Sequence, residues 1–177
     1  MSANKTLLKQ TLIYGIATVL PRVISFLLVG LHTDLMPKVA YGEVTILLAY
    51  MIFFNVILSY GMETAFFRFY HKEENKNEVI STATVSIFWS TVLFLCIALL
   101  FQKTLAGLLN VDKEYVNYAI WILAFDALVI IPFSKLRAEQ KAIKYSVFKI
   151  SNVIINMLLN VFLLAILPKL AHANPQG

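Results

Sequence analysis

Charged residues are scarce in this 177-residue chain: 14% of its residues are Asp, Glu, Lys or Arg, whereas 59% are hydrophobic. A water-soluble domain of this length needs a charged surface around its apolar interior. The shortage of charge therefore excludes an ordinary soluble domain. We predict an all-α polytopic membrane helix bundle, because apolar helices of ~20 residues match the ~30 Å hydrocarbon core of a bilayer.

Long polar connections are also missing, so we expect a single membrane domain over residues 1–170. Its five transmembrane helices are predicted at about 11–31, 41–62, 80–101, 116–134 and 148–168. Residues 171–177 are polar and contain proline and glycine. We interpret them as a tail on the outer side, where the chain is truncated between two helices; the alternative is a complete five-helix protein.

Cysteine and the usual catalytic motifs are nearly absent. Cys96 is the single cysteine, which excludes an internal disulfide or a multi-thiol metal site. His32, His71 and His172 fall in different predicted loops without a metal-ligand spacing, and neither a phosphate-binding loop nor a nucleophile elbow occurs. We therefore expect no enzyme activity, no metal and no cofactor.

The net charge of +5 follows the predicted membrane topology. With a cytoplasmic N-terminus, most basic residues fall in inner segments, and the outer segments hold only Lys38, Lys103, Lys113 and Lys169. This asymmetry obeys the positive-inside rule. It predicts a multi-pass protein with its N-terminus in the cytoplasm and no nucleic-acid partner.

Two charged residues lie near the middle of predicted helices: Arg22 in the first and Asp126 in the fourth. A charge at the bilayer centre costs about 2.5–3.5 kcal/mol or more, so each residue marks a candidate functional site. Two interpretations stay open. Asp126 is the partner of Arg22 in a structural ion pair, or Arg22 faces a hydrated cavity and binds an anionic substrate.

Small polar residues share the face of Arg22. At 100° per residue, Thr18 and Ser25 fall within an arc of about 80° that includes Arg22. We predict that these three side chains contact substrate, although small residues also allow helices to pack closely.

The fifth predicted helix repeats this pattern with Lys149, Asn152, Asn156 and Asn160 on one face. Amides that face lipid would leave hydrogen-bond donors and acceptors unsatisfied. These residues therefore either join helices by hydrogen bonds or line a polar path for substrate.

Three groups of residues resemble the Wzx-type O-antigen flippases of the multidrug/oligosaccharidyl-lipid/polysaccharide exporter superfamily. The resemblance extends over most of the chain, to about residue 170. The groups are LPRVISF at 20–26 with YGE at 41–43, GMETAFFRFY at 61–70, and PFSKLRA at 132–138 with Lys144 and Tyr145.

The resemblance implies part of the N-terminal lobe of a MATE-like transporter, with the remaining helices of the full-length chain as partners. It implies a flippase that translocates undecaprenyl-diphosphate-linked oligosaccharides across the bacterial inner membrane for surface polysaccharide synthesis, such as the O-antigen of lipopolysaccharide. The implied partners are this lipid-linked substrate, membrane lipids and a coupling ion, either proton or sodium.

The resemblance also assigns roles to individual residues. Arg22 would contact diphosphate or acidic sugars, and the polar face of the fifth helix would bind hydroxyl groups. Arg68 and Arg137 match inner-loop arginines, with a gating or headgroup-anchoring role. The alternatives are a drug/cation antiporter of the same superfamily and a non-transporting membrane scaffold.

Overall fold

The computed structural model describes residues 3–166, and nearly all of them are helical. The tail predicted at 171–177, including His172, lies outside the described residues. The helices are α1 (Ala3–Leu35), α2 (Lys38–Ser59), α3 (Met62–Lys72), α4 (Lys76–Leu100), α5 (Gln102–Leu109), α6 (Lys113–Ala138) and α7 (Ala142–Val161), with a π-helical segment at Phe162–Ile166.

Five segments within residues 3–166 are long and apolar enough to cross a membrane, which confirms the predicted all-α class. Each of them overlaps one of the helices expected from the sequence. They are Thr11–Leu35, Lys38–Lys72, Lys76–Leu100, Lys113–Ala138 and Ala142–Leu164.

The second of these segments consists of two helices, because the chain turns at Tyr60 and Gly61. Both residues have positive φ angles, 32° and 70°, which interrupt a right-handed helix. Helix α3 then begins at Met62 and buries Phe66 and Tyr70 on one face. Averaged hydropathy does not detect α3, because its other face is polar.

Residues Gly42–Glu139 form one compact unit, hereafter the central unit. Helix α4 packs along α6, and α3 packs against both. Phe66, Ile87 and Ile131 are almost fully buried at these contacts. Lipid tails are as apolar as these side chains, so close van der Waals packing stabilises the part of this core that lies within a membrane.

The other compact unit joins the residues up to Tyr41 with those from Gln140 onward, hereafter the α1–α7 unit. Helix α1 packs along α7, and Ala17 is fully buried there. The Ser146 hydroxyl donates to the Ile13 carbonyl at 3.4 Å, and farther along the two helices His32 contacts Asn160. The contacts advance in the same direction on both helices, so α1 and α7 run parallel.

Candidate functional site

The three candidate substrate-binding residues of α1 are all exposed in the α1–α7 unit. Around the axis of α1, Ser25 lies about 80° and Arg22 about 140° from Ala17, the residue that is fully buried against α7. The hydroxyl of Thr18 donates a hydrogen bond to the Tyr14 carbonyl at 2.8 Å. The hydrogen of Thr18 is thus used within its own helix, and its oxygen can accept a hydrogen bond from a ligand.

Lys149 is half-buried near the beginning of α7. Its ammonium group donates to the Tyr145 hydroxyl at 3.1 Å and lies 5.4 Å from the centroid of the same ring. The ring of Tyr145 in turn meets Tyr14 of α1 edge-on, with centroids 5.4 Å apart. Aromatic packing between the helices therefore positions the charge of Lys149.

Asn156 and Asn160 are joined by hydrogen bonds one turn apart on α7. The amide nitrogen of Asn160 lies 2.9 Å from the Asn156 side-chain oxygen and 2.9 Å from the Asn156 carbonyl. The side-chain oxygen of Asn160 lies 2.9 Å from His32 Nε2 on α1. Asn160 therefore joins two helices, while Asn152 and Asn156 are exposed.

His32 is a functional candidate that the sequence did not reveal. It was expected in a loop, but it lies in the last turn of α1 because the helix continues to Leu35. Similarly, His71 lies in α3 and not in a loop. His32 follows Ser25 by seven residues, or about two helical turns, so extending the polar face of α1 would have found it.

Helical geometry indicates that the polar residues of α1 and α7 face the same edge of this helix pair. On α1, His32 is about 80° from Arg22 around the helix axis, whereas Ile13 is about 180° away. The His32–Asn160 contact is thus on the polar side, and the contact of Ile13 with α7 is on the opposite side. We call this edge the polar edge; it comprises Thr18, Arg22, Ser25, Lys149, Asn152, Asn156 and Asn160.

Asp126 is exposed on α6 in the central unit. Arg22 belongs to the other compact unit. The ion pair between these two residues stays a prediction, as does their role at the middle of the bilayer.

Arg137 and Arg68 have different surroundings in the central unit. Arg137, at the end of α6, forms an ion pair with Glu63 of α3, and its guanidinium lies 5.1 Å from the centroid of the Phe67 ring. Arg68 is exposed on α3. Sequence reasoning missed the partner Glu63, although it lies within the GMETAFFRFY segment at 61–70.

A cavity of about 320 Å³ in the central unit differs in character from the polar edge. It is lined by apolar and aromatic residues of α2, α4, α5 and α6, among them Phe54, Phe94 and Leu123. Water needs two to four polar partners to occupy a cavity, so this space suits hydrocarbon. Among residues 3–166, no cluster of His, Cys, Asp and Glu could hold a metal ion.

One of the comparisons with known proteins identifies a family. The sequence profile of a family described as "Polysaccharide biosynthesis protein" matches residues 7–173, which include every candidate residue named above. No curated protein and no solved structure matches the chain.

Proposed function

The chain belongs to the polysaccharide biosynthesis protein family, the family of Wzx-type flippases, and from this premise we propose that it forms part of a flippase for undecaprenyl-diphosphate-linked oligosaccharides. Such a protein transfers the polar headgroup of its substrate from the cytoplasmic to the outer leaflet while the hydrocarbon tail stays in the bilayer. The family and the five membrane helices agree with a multi-pass membrane transporter.

The polar edge of the α1–α7 unit is the observation that carries this proposal. A diphosphate is anionic and an oligosaccharide is rich in hydroxyl groups, so neither enters hydrocarbon without polar partners. Cationic and amide side chains along two parallel helices would replace part of the lost hydration. The exposure of Arg22 and Asn156 leaves both accessible to a ligand in this unit.

The order of these residues along the helices suggests separate roles in transport. With a cytoplasmic N-terminus, Lys149 lies nearest the inner surface and would attract the anionic substrate first. Arg22 would bind the diphosphate or an acidic sugar near the middle of the membrane. Thr18, Ser25, Asn152, Asn156 and Asn160 would form hydrogen bonds with sugar hydroxyls.

The remaining assignments belong to the same proposal. The protein would lie in a bacterial inner membrane, would act without enzymatic chemistry, and would use a proton or sodium gradient if transport is coupled. Arg137, paired with Glu63, would control the contact between α3 and α6 during opening, whereas Arg68 would anchor α3 to lipid headgroups. Lipopolysaccharide O-antigen is the proposed destination of the sugar.

One observation favours a second candidate function, a drug/cation antiporter of the same superfamily. Asp126 is an exposed carboxylate on a candidate membrane helix, and a carboxylate at that depth could bind an organic cation. The polar edge, whose formal charges are the cations Arg22 and Lys149, favours an anion instead.

Deletion of the native gene tests the proposal. We expect undecaprenyl-linked oligosaccharides to accumulate in the cytoplasmic leaflet and surface polysaccharide to be lost, with both effects reversed by the wild-type gene. Sensitivity to cationic dyes with unchanged polysaccharide would favour the antiporter. Neither phenotype, in a strain with no second flippase, would favour a membrane scaffold and contradict the proposal.

A further inference from the structure

The hydrogen bonds between His32, Asn160 and Asn156 can be assigned a direction. The amide group of Asn160 faces two groups of Asn156: the backbone carbonyl and the side-chain oxygen, each 2.9 Å away. A backbone carbonyl can only accept hydrogen bonds. The side-chain atom of Asn160 that faces it must therefore be the NH₂ nitrogen, which places the Asn160 oxygen towards His32.

The direction of this bond determines where His32 carries a proton. The Asn160 side-chain oxygen only accepts, and it lies 2.9 Å from His32 Nε2. His32 must therefore have a hydrogen on Nε2, either as the neutral Nε2–H tautomer or as the imidazolium. A neutral ring with its only hydrogen on Nδ1 would place two acceptors against each other.

The same direction continues along α7 to Asn156. Because Asn160 donates to the side-chain oxygen of Asn156, that oxygen is occupied and the NH₂ group of Asn156 points away from Asn160. Asn156 is exposed in this unit. It thus presents a hydrogen-bond donor at the polar edge, about two helical turns beyond Lys149 on α7.

We propose that His32 is a positioning residue that holds Asn160 and thereby directs the Asn156 NH₂ group towards acceptor oxygens of the transported lipid. This inference rests on the proposed flippase function and adds a donor subsite to it. The chemical class of the ligand is an acceptor-rich oxygen group, either phosphate oxygens or sugar hydroxyls. In the proposed topology the subsite lies near the middle of the membrane segment Ala142–Leu164.

Loss of His32 would act through its partners. Without a donor from α1, the Asn160 oxygen loses its hydrogen bond to the other helix, so the Asn160 side chain is freer to rotate. Asn156 would then lose the contact that sets its orientation. Gln at position 32 can keep an NH₂ donor, whereas Leu at that position keeps volume and removes the donor.

The tautomer of His32 can be measured independently of transport. We expect ¹⁵N NMR of the histidine-labelled full-length protein to show a hydrogen on Nε2, with the signal assigned by its absence in His32→Gln. A neutral ring with hydrogen on Nδ1 alone would overturn the inference, even if export were normal. Conversely, failure of the flippase proposal in the deletion strain would leave this result unchanged.

Binding measurements with two probes identify the ligand group. We expect His32→Leu and Asn156→Ala each to weaken binding about tenfold in full-length protein, the size expected when one hydrogen-bond partner is lost. The probes are undecaprenyl diphosphate and the lipid-linked oligosaccharide purified from the deletion strain. Weaker binding of both probes identifies phosphate oxygens, whereas weaker binding of the oligosaccharide alone identifies sugar hydroxyls.

Two further variants separate positioning from general destabilisation. We expect His32→Gln to recover most of the affinity, and His32→Leu combined with Asn156→Ala to bind no more weakly than Asn156→Ala alone. Thr33→Val is the matched control, because Thr33 is exposed and its hydroxyl donates to the Gly30 carbonyl of its own helix. Unchanged binding in Asn156→Ala, or additive losses in the double variant, would overturn the proposal.

Discussion

In the central unit, Phe66, Ile87 and Ile131 fill the space between α3, α4 and α6 with almost no exposure to the surroundings. In the α1–α7 unit, by contrast, the helices meet through few fully buried side chains and through polar contacts such as His32–Asn160. The first arrangement buries apolar side chains between the helices. The second leaves polar groups accessible beside the interface.

This difference follows from what each kind of contact contributes within a membrane. Apolar side chains gain little by leaving lipid, so only close packing holds the central helices together. Polar groups avoid a large cost when they find partners, which favours the pairing of α1 with α7. A unit held by exchangeable hydrogen bonds is better suited to bind a polar cargo than one held by packing.

The largest predicted effect concerns Arg22 in the α1–α7 unit. We expect Arg22→Ala to reduce export by about tenfold or more at normal protein abundance, because a charged hydrogen-bond donor contributes ~1.5–3 kcal/mol. Arg22→Lys should keep part of the activity, since the charge remains. Surface polysaccharide measured per molecule of membrane protein checks this, with exposed Val23→Ala as the control.

The same experiment tests the alternative role of Arg22. Equal loss of protein abundance in Arg22→Ala and Arg22→Lys would indicate a structural ion pair. Arg22→Asp combined with Asp126→Arg would then restore abundance. Restored abundance without restored export would indicate that Arg22 both forms the structural ion pair and binds substrate.

The next effect concerns packing in the central unit. We expect Ile131→Ala to lower the free energy of unfolding by about 2–5 kcal/mol, since truncation of a buried side chain leaves a cavity. Export per folded molecule should change little, because Ile131 belongs to the buried cluster of the central unit and the proposed substrate path belongs to the α1–α7 unit. Thermal unfolding and membrane abundance measure this, and Val129→Ala, at a 41% exposed position, is the matched control. A loss of export at normal stability would contradict the contrast between the units.

A smaller effect is expected at the beginning of α7. Lys149→Gln should reduce export about threefold, because a partly exposed charge attracts an anion by less than ~1 kcal/mol. Gln can keep a hydrogen bond to Tyr145, so the packing of the helices should be preserved. Transport at limiting substrate is the measurement, and exposed Lys144→Gln is the control. An equal loss in both variants would indicate a general effect of positive charge near the membrane surface.

The smallest effect concerns the Glu63–Arg137 ion pair. Glu63→Gln should change the free energy of unfolding by less than about 1 kcal/mol, because the two side chains are 47% and 43% exposed. If this pair controls opening, export should change although stability does not. Glu74→Gln, in the exposed turn after α3, is the control, and we expect it to change neither export nor the free energy of unfolding.

Much of the fold could be predicted from hydropathy and charge, because crossing a bilayer imposes a length and a composition on each helix. That constraint predicts all five membrane segments, which contain, in order, Arg22, Asn55, Cys96, Asp126 and Asn152. Helices α3 and α5 did not, since α3 has one polar face and α5 has only eight residues. Periodicity would detect such helices, but averaged hydropathy does not.

The candidate site was predictable only as two separate faces. The spacing of Thr18, Arg22 and Ser25 places them together on α1, and the spacing of the asparagines does the same on α7. Nothing in the spacing indicates that the two faces lie on one edge of a helix pair. His32 was missed because α1 was expected to end before it.

The sequence by itself determined the membrane class, the five apolar segments and the residues that share a face on each helix, because these depend on local composition and on the helical repeat. The tertiary structure decided that α1 packs in parallel on α7, that His32 contacts Asn160, and that Arg137 pairs with Glu63. These contacts join residues 74 to 128 positions apart along the chain. They depend on which helices pack together, and packing in a membrane is set by the fit of side chains between helices and not by the hydropathy of either helix alone.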